Sequence, residues 1–263
     1  MTPDDLIKPT DVRQSEQLTV KTYANRMDLG RAAGLEAAAQ LKRLLALQQR
    51  VNIVFAAAPS QNEFLDTLAS VEAIEWGSVT AMHMDEYVGL SPDAPQRFGN
   101  YLKEHIFDTV KPGGIHYLDG NAADIHAECQ RYSGLLRDNP VDIVFAGIGE
   151  NGHLAFNDPG VADFLDTALV KVVTLDEMCR QQQVNDGCFD QLSQVPTQAL
   201  TLTVPSLMAA RWIYAIVPGP TKADAVRGTL SGEITPDVPA TILRIHPRAV
   251  LYIDEDSAAK LSS

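Results

Sequence analysis

Val141-Asp142-Ile143-Val144-Phe145-Ala146 runs directly into Gly147-Ile148-Gly149-Glu150-Asn151-Gly152-His153-Leu154-Ala155-Phe156-Asn157-Asp158-Pro159-Gly160. The first six residues form an apolar run that predicts a strand buried in a parallel sheet. The glycines that follow let the backbone turn sharply at the strand's carboxyl end, where open α/β sheets place their ligands. His153 and Asp158 fall in that turn. A histidine able to carry a proton near neutral pH, with a carboxylate a few residues on, suits acid–base chemistry. Alone, the loop is equally compatible with a Gly-rich turn whose histidine is satisfied by backbone.

The rest of the chain alternates in the same way. Helix-forming residues from Ala24 to Gln49 precede a short strand, Val51–Phe55, and a helix over Asn62–Ala73. A strand over Ser78–Met84, a helix over Phe98–Phe107, a turn at Pro112–Gly114 and a helix over Ala122–Arg137 follow. Beyond the Gly-rich loop come strands near Leu169–Val173 and Arg211–Val217, a helix over Lys222–Leu230 and a last strand at Val250–Ile253. The first twenty or so residues read as polar and irregular. Alternating strands and helices predict a doubly wound, mostly parallel α/β sheet with helices on both faces, Rossmann-like, in one domain over residues 1–263.

Composition narrows the function. The 34 acidic and 21 basic residues give a net charge of −13, the wrong sign for nucleic acid or an anionic membrane surface as partner. Any anionic substrate has to be held by local positive charge. The cysteines, Cys129, Cys179 and Cys188, are few, odd in number and free of any CxxC, which predicts a reducing compartment and no disulfide framework. No Cys/His set has ligand-like spacing, so no metal is expected. Met1-Thr2-Pro3-Asp4-Asp5 opens no secretory signal, and no apolar run reaches the roughly 18 residues that would suggest a membrane span. The expectation is a cytoplasmic protein.

A second motif is Met82-His83-Met84-Asp85-Glu86-Tyr87-Val88-Gly89-Leu90. Adjacent carboxylates at a strand end repel one another, and a cleft desolvates at least one, so both effects raise a carboxyl pKa toward the range useful to a general base. A solvated Asp-Glu pair at a turn is the alternative. The flanking methionines and Tyr87 make the surroundings more apolar than such a turn.

Together, Met-Asp-Glu-Tyr-Val-Gly and Gly-His-Leu-Ala-Phe-Asn resemble the glucosamine-6-phosphate deaminase/isomerase family. The resemblance continues through Val195–Thr201, Pro218–Ala223 and Leu243–Ala249. The related 6-phosphogluconolactonases typically show Asp-Glu-Arg where this chain has Asp85-Glu86-Tyr87, and lack the Phe-Asn-(Glu/Asp)-Pro that follows His153 here. The resemblance implies conversion of an amino-sugar phosphate, glucosamine 6-phosphate by default, to fructose 6-phosphate and ammonia, without metal or organic cofactor. It makes Asp85 the proton-moving base, His153 the ring-opening acid–base and Asp158 the carboxylate that orients His153, one methylene shorter than the family's glutamate.

Asn151 stands where some members carry aspartate and others asparagine; an amide adds no negative charge beside the imidazolium, and Glu150 is the neighbouring alternative. Glu86 and Gly152 are carried over as substrate-binding residues. At the phosphate site the chain departs from the family. A Thr-Gly-(Gly/Ser)-Thr-Pro loop is replaced by Ala57-Ala58-Pro59-Ser60-Gln61-Asn62-Glu63, where Pro59 removes a backbone donor and both glycines are absent. Ser60 and Gln61 are the candidate ligands in that loop, although Ser60 with Glu63 also spells a helix-capping box. The family's phosphate arginine is missing near Asp186 or Gly187. Lys222 matches the phosphate lysine, and Arg97 and Arg180 are candidates to replace the lost charge. A lactonase-type hydrolase and a non-catalytic sugar-phosphate-binding protein on the same fold remain as alternatives. Family members range from monomers to hexamers, which leaves a homo-oligomer open.

Overall fold

The computed structural model describes residues 7–261; the opening Met1–Asp5 read above for a leader lies outside them. Eleven strands run in the order β1 (Asp11–Ser15), β2 (Leu18–Tyr23), β3 (Val51–Phe55), β4 (Val79–His83), β5 (Asp85–Tyr87), β6 (Gly114–His116), β7 (Ile143–Ala146), β8 (Val170–Thr174), β9 (Gln198–Leu202), β10 (Trp212–Val217) and β11 (Ala249–Asp254). Between them lie the helices α1 (Arg26–Leu45), α2 (Asn62–Ser70), α3 (Phe98–Leu102), α4 (Asp108–Val110), α5 (Ile125–Asp138), α6 (Glu177–Asn185), α7 (Val204–Met208) and α8 (Ala223–Leu230).

Eight strands form the main sheet in the order β1-β2-β11-β10-β7-β3-β4-β6. All neighbours in it are parallel except β1 and β2. The mostly parallel α/β sheet expected from the sequence is therefore present. Its central strands are apolar on both faces, as a sheet covered on two sides requires. Ile53, Phe55, Ile143 and Phe145 pack into one buried cluster with α1 and α2, while Val54, Val144, Ala215 and Val217 pack into a second with α5, α7 and α8. On α1, Leu29, Ala33, Ala37, Leu41 and Leu44 form the buried stripe, and Asn25 caps its start by accepting from the Asp28 N–H.

Two elements depart from the expectation. The supposedly irregular first residues contain the β1–β2 hairpin, in which Leu18 and Val20 are buried; β2 pairs with β11 and extends the sheet. Its polar alternate residues face outward, and that alternation hid it. The strand near Leu169–Val173 does not join the main sheet. It is β8, on one edge of a separate antiparallel sheet, β5-β9-β8, whose other edge strand begins at Asp85.

Strand succession reverses between β3 and β7. From β3 the chain proceeds to β4 and β6 on one side; from β7 it proceeds to β10 and β11 on the other. Open α/β sheets bind ligands outside the carboxyl ends of their strands at such a reversal.

Candidate active site

A cleft of ≈ 540 Å³, part of it open to solvent, lies at this reversal. Ala56, Ala57, Ala58 and Ser60 line it after β3, Met84 and Asp85 after β4, Gly147–Gly149 and His153 after β7, and Lys222 after β10. The small antiparallel sheet ties the two sequence motifs together. Asp85 pairs with Thr201 of β9, and the Thr201 hydroxyl accepts from the Phe156 N–H at 3.1 Å. One residue thus fixes both the strand that carries Asp85 and the loop that carries His153.

Asp85 is buried, and burial, then the neighbouring Glu86 charge, pushes its carboxyl well above the usual range. His83 holds its backbone. The imidazole Nδ1 lies 2.8 Å from the Asp85 carbonyl, and Nε2 accepts from the Leu118 N–H at 2.9 Å. With Nε2 an acceptor, Nδ1 is the donor and the ring is neutral; burial lowers its pKa to about 4. Glu86 faces away from the cleft. Its carboxylate accepts from the N–H groups of Tyr87, Phe98 and Gly99 at 2.9, 3.2 and 3.1 Å. Those bonds clamp β5 to the start of α3, so Glu86 supports the site without lining it.

The His153 loop depends on two glycines. Gly152 takes φ +85°, a conformation that side chains rarely tolerate. At Gly149 a Cβ would lie 2.1–2.4 Å from the His153 ring atoms, so the ring rests directly on bare backbone. His153 Nδ1 stands 2.8 Å from Asp158 Oδ1, although the N–H is not aimed straight along that line. Asn151 bridges the same pair: its Oδ1 accepts from the His153 N–H, and its Nδ2 donates to Asp158 Oδ1, each at 3.0 Å. An amide can do both, because it carries donor and acceptor together. Burial alone would raise the Asp158 carboxyl, but the close polar contacts of His153, Asn151 and Cys179 hold it below its ordinary value. The Glu150 charge acts on Lys222.

Lys222 also lines the cleft, immediately before α8, and is buried. Burial lowers its pKa, opposed by Asp186, Glu150 and Cys179. Ser60 lines the cleft, whereas Gln61 is fully buried beneath it, donating to the Ile216 carbonyl and to Ser60 Oγ at 3.1 Å each. The expected capping box does not form. Glu63 accepts a forked pair of bonds from Arg26 at 2.7 and 2.9 Å, a stronger arrangement than a single cap. Neither candidate arginine reaches the cleft lining. Arg97 lies 3.7 Å from Glu86 and 3.8 Å from Asp119, and Arg180 donates to the carbonyls of Leu192 and Val195. Among the described residues, Lys222 is the only lysine or arginine lining this cleft.

Sequence reasoning missed His83, Thr201, Gly149's contact role and the α6 contribution of Gln182, Gln183 and Asp186 to the lining. It also missed a cluster. Cys179 of α6 joins His153 and Asp158 so that one ligand atom of each lies within 4.8 Å of the others, all three residues buried. The expectation of no metal rested on spacing along the chain, which does not reveal residues brought together from separate loops. Among the described residues, no helix is long and apolar enough to cross a membrane.

Comparison with known proteins places this geometry. Residues 24–252 match the family described as glucosamine-6-phosphate isomerases/6-phosphogluconolactonase. A glucosamine-6-phosphate deaminase from an Exiguobacterium species is 41% identical over 189 residues, covering 72% of this chain and 72% of that protein. The solved structure of a monomeric glucosamine-6-phosphate deaminase superposes with a TM-score of 0.84 at 30% identity, covering 92% of this chain and 99% of that one. A 6-phosphogluconolactonase from Thermotoga maritima gives 0.73 at 19% identity, over 90% and 99% of the two chains, a likeness of fold.

Proposed function

This chain belongs to the glucosamine-6-phosphate isomerase/6-phosphogluconolactonase family, and from that premise we propose that it is a deaminase of an amino-sugar phosphate, converting glucosamine 6-phosphate to fructose 6-phosphate and ammonia. The observation that carries this reading is the convergence of Asp85 and His153 on one cleft, each fixed from behind. A protein that only binds sugars has no need of a proton-transfer pair held this way.

In the proposed sequence, His153 takes the proton of the C1 hydroxyl and delivers one to the ring oxygen, opening the sugar to the aldehyde. Nδ1 faces Asp158 at 2.8 Å, which leaves Nε2 for the substrate. Asp85, ionised, takes the C2 proton and returns it to C1, while a proton passes from the amino nitrogen to the C1 oxygen and the aldehyde becomes the C1 hydroxyl. Carbon 2 becomes an imine, and water releases ammonia to leave the ketone. The high proton affinity that burial gives Asp85 makes it a stronger base than a solvated carboxylate. Lys222 and Ser60, which both line the cleft, are the proposed anchor for the phosphate.

Tyr87 favours the amino-sugar branch over the lactonase one. Its ring lies 4.8 Å from Phe98 and 5.4 Å from Phe156 between centroids, and it helps form the apolar wall behind Asp85. The test is a paired assay of purified protein: ammonia release from a panel of 2-amino-2-deoxyhexose 6-phosphates and their unphosphorylated forms, beside hydrolysis of 6-phosphogluconolactone. Ammonia release without lactone hydrolysis is expected. Lactone hydrolysis alone overturns the reading, and inactivity on both panels points to a non-catalytic binder.

A further inference from the structure

Beside the cleft lining, a ring nitrogen of His153, an Asp158 oxygen and Cys179 Sγ are held within 4.8 Å of one another. His153 Nδ1 and Asp158 Oδ2 have no aligned hydrogen-bond partner, although the two side chains are only 9% and 1% exposed. Polar atoms that deep are costly unless something satisfies them. An imidazole nitrogen, a thiol sulfur and a carboxylate oxygen together make a donor set that suits zinc and suits magnesium or calcium poorly.

We propose that His153, Asp158 and Cys179 form a site for a borderline-soft divalent cation, zinc by its donors, whose occupation immobilises His153 and switches catalysis off. Zinc bonds of about 2.0–2.3 Å set ligand separations of roughly 3.3–3.6 Å in a tetrahedron. The 2.8 Å His153–Asp158 contact therefore opens slightly and Cys179 draws inward. His153 also lines the cleft, which gives the ion its entry. Binding is a substitution without redox change: the metal–sulfur bond forms as the thiol proton leaves to solvent. With Nδ1 bound to the cation, the ring can no longer become imidazolium and cannot cycle a proton. Asp158 is withdrawn at the same time from its orienting role.

The experiment titrates the full chain, stripped with a chelator, with Co²⁺ and then Zn²⁺. The expected result is one Co²⁺ per chain with a thiolate-to-cobalt charge-transfer absorption, displaced by Zn²⁺. Cys179→Ser should lose that absorption and bind zinc at least about 100-fold more weakly, since even outer-shell changes cost up to that much. The double variant Cys129→Ser/Cys188→Ser keeps Cys179 as the one thiol and should retain the absorption, which keeps the test decisive if Cys179→Ser does not fold. No absorption in the wild type, or its loss in the double variant, overturns the site. The readout is spectroscopic, so failure here is distinguishable from failure of the deaminase reading.

Discussion

Asp85 combines two demands that oppose each other. In the fold its carboxyl pKa is raised, by burial and then by Glu86, so between the unfolded value and the native one the folded chain holds a proton that the unfolded chain has lost. Stability therefore falls as pH rises through that window. Asp85→Asn is expected to raise Tm at neutral pH, with the gain shrinking as pH is lowered toward the ordinary carboxylate range. Catalysis runs the other way, because the base must be ionised. The acid limb of the kcat/KM profile should consequently lie above the pH range of a solvated aspartate. Thermal unfolding and rate profiles over the same pH series check both signs. Gly149 makes a different demand, for space. A Cβ there would meet the His153 ring at 2.1–2.4 Å, so Gly149→Ala must displace the imidazole. A misplacement of about 1 Å can cost roughly 10²-fold, and a loss of that order in kcat is expected with the fold retained by circular dichroism.

β5 is the element that converts sheet architecture into a site. It is three residues long, and its position depends on Glu86 accepting three backbone N–H groups. Glu86→Gln replaces one acceptor oxygen with a donor that faces those N–H groups. A loss of about 1–3 kcal/mol in unfolding free energy is expected, measured by denaturant titration, with turnover falling as β5 loosens. The apolar runs at Val51 and Val141 and the helical stripe of α1 announced the parallel sheet, because burial on both faces leaves a continuous signature. β1 and β2 left no such trace, since β1 buries none of its residues and β2 keeps Thr19 and Lys21 half-exposed between its buried positions. Likewise Asp85, Asn151, His153 and Asp158 could be picked out from two local motifs. Thr201, Gln182 and Cys179 could not, because their places at the site depend on how β9 and α6 pack against those motifs. The capping box that Ser60–Glu63 also spelled does not form for a related reason: the Arg26 that captures Glu63 comes from a distant helix.

Across the molecule, a net charge of −13 surrounds a cleft lined by one cation. Lys222 works against that field with Asp186 beside it in the lining, so binding of an anionic substrate is local and rests heavily on one side chain. Lys222→Ala should raise KM for the phosphorylated sugar and leave any activity on the unphosphorylated one nearly unchanged. A charge-assisted hydrogen bond of about 1.5–3 kcal/mol corresponds to a loss of roughly 10- to 150-fold in kcat/KM. Indifference to the substitution would move the substrate outside the hexosamine 6-phosphates. The claim on which all of this turns is that Asp85 moves the C2 proton of an amino-sugar phosphate. Its most direct test is the initial rate of ammonia release from glucosamine 6-phosphate by wild type and by Asp85→Asn, each shown to be folded. The wild type should release ammonia, and the variant should be slower by at least about 10²-fold, the lower range for loss of a general base. A wild type that releases none, or a variant that keeps nearly the wild-type rate, contradicts the assignment.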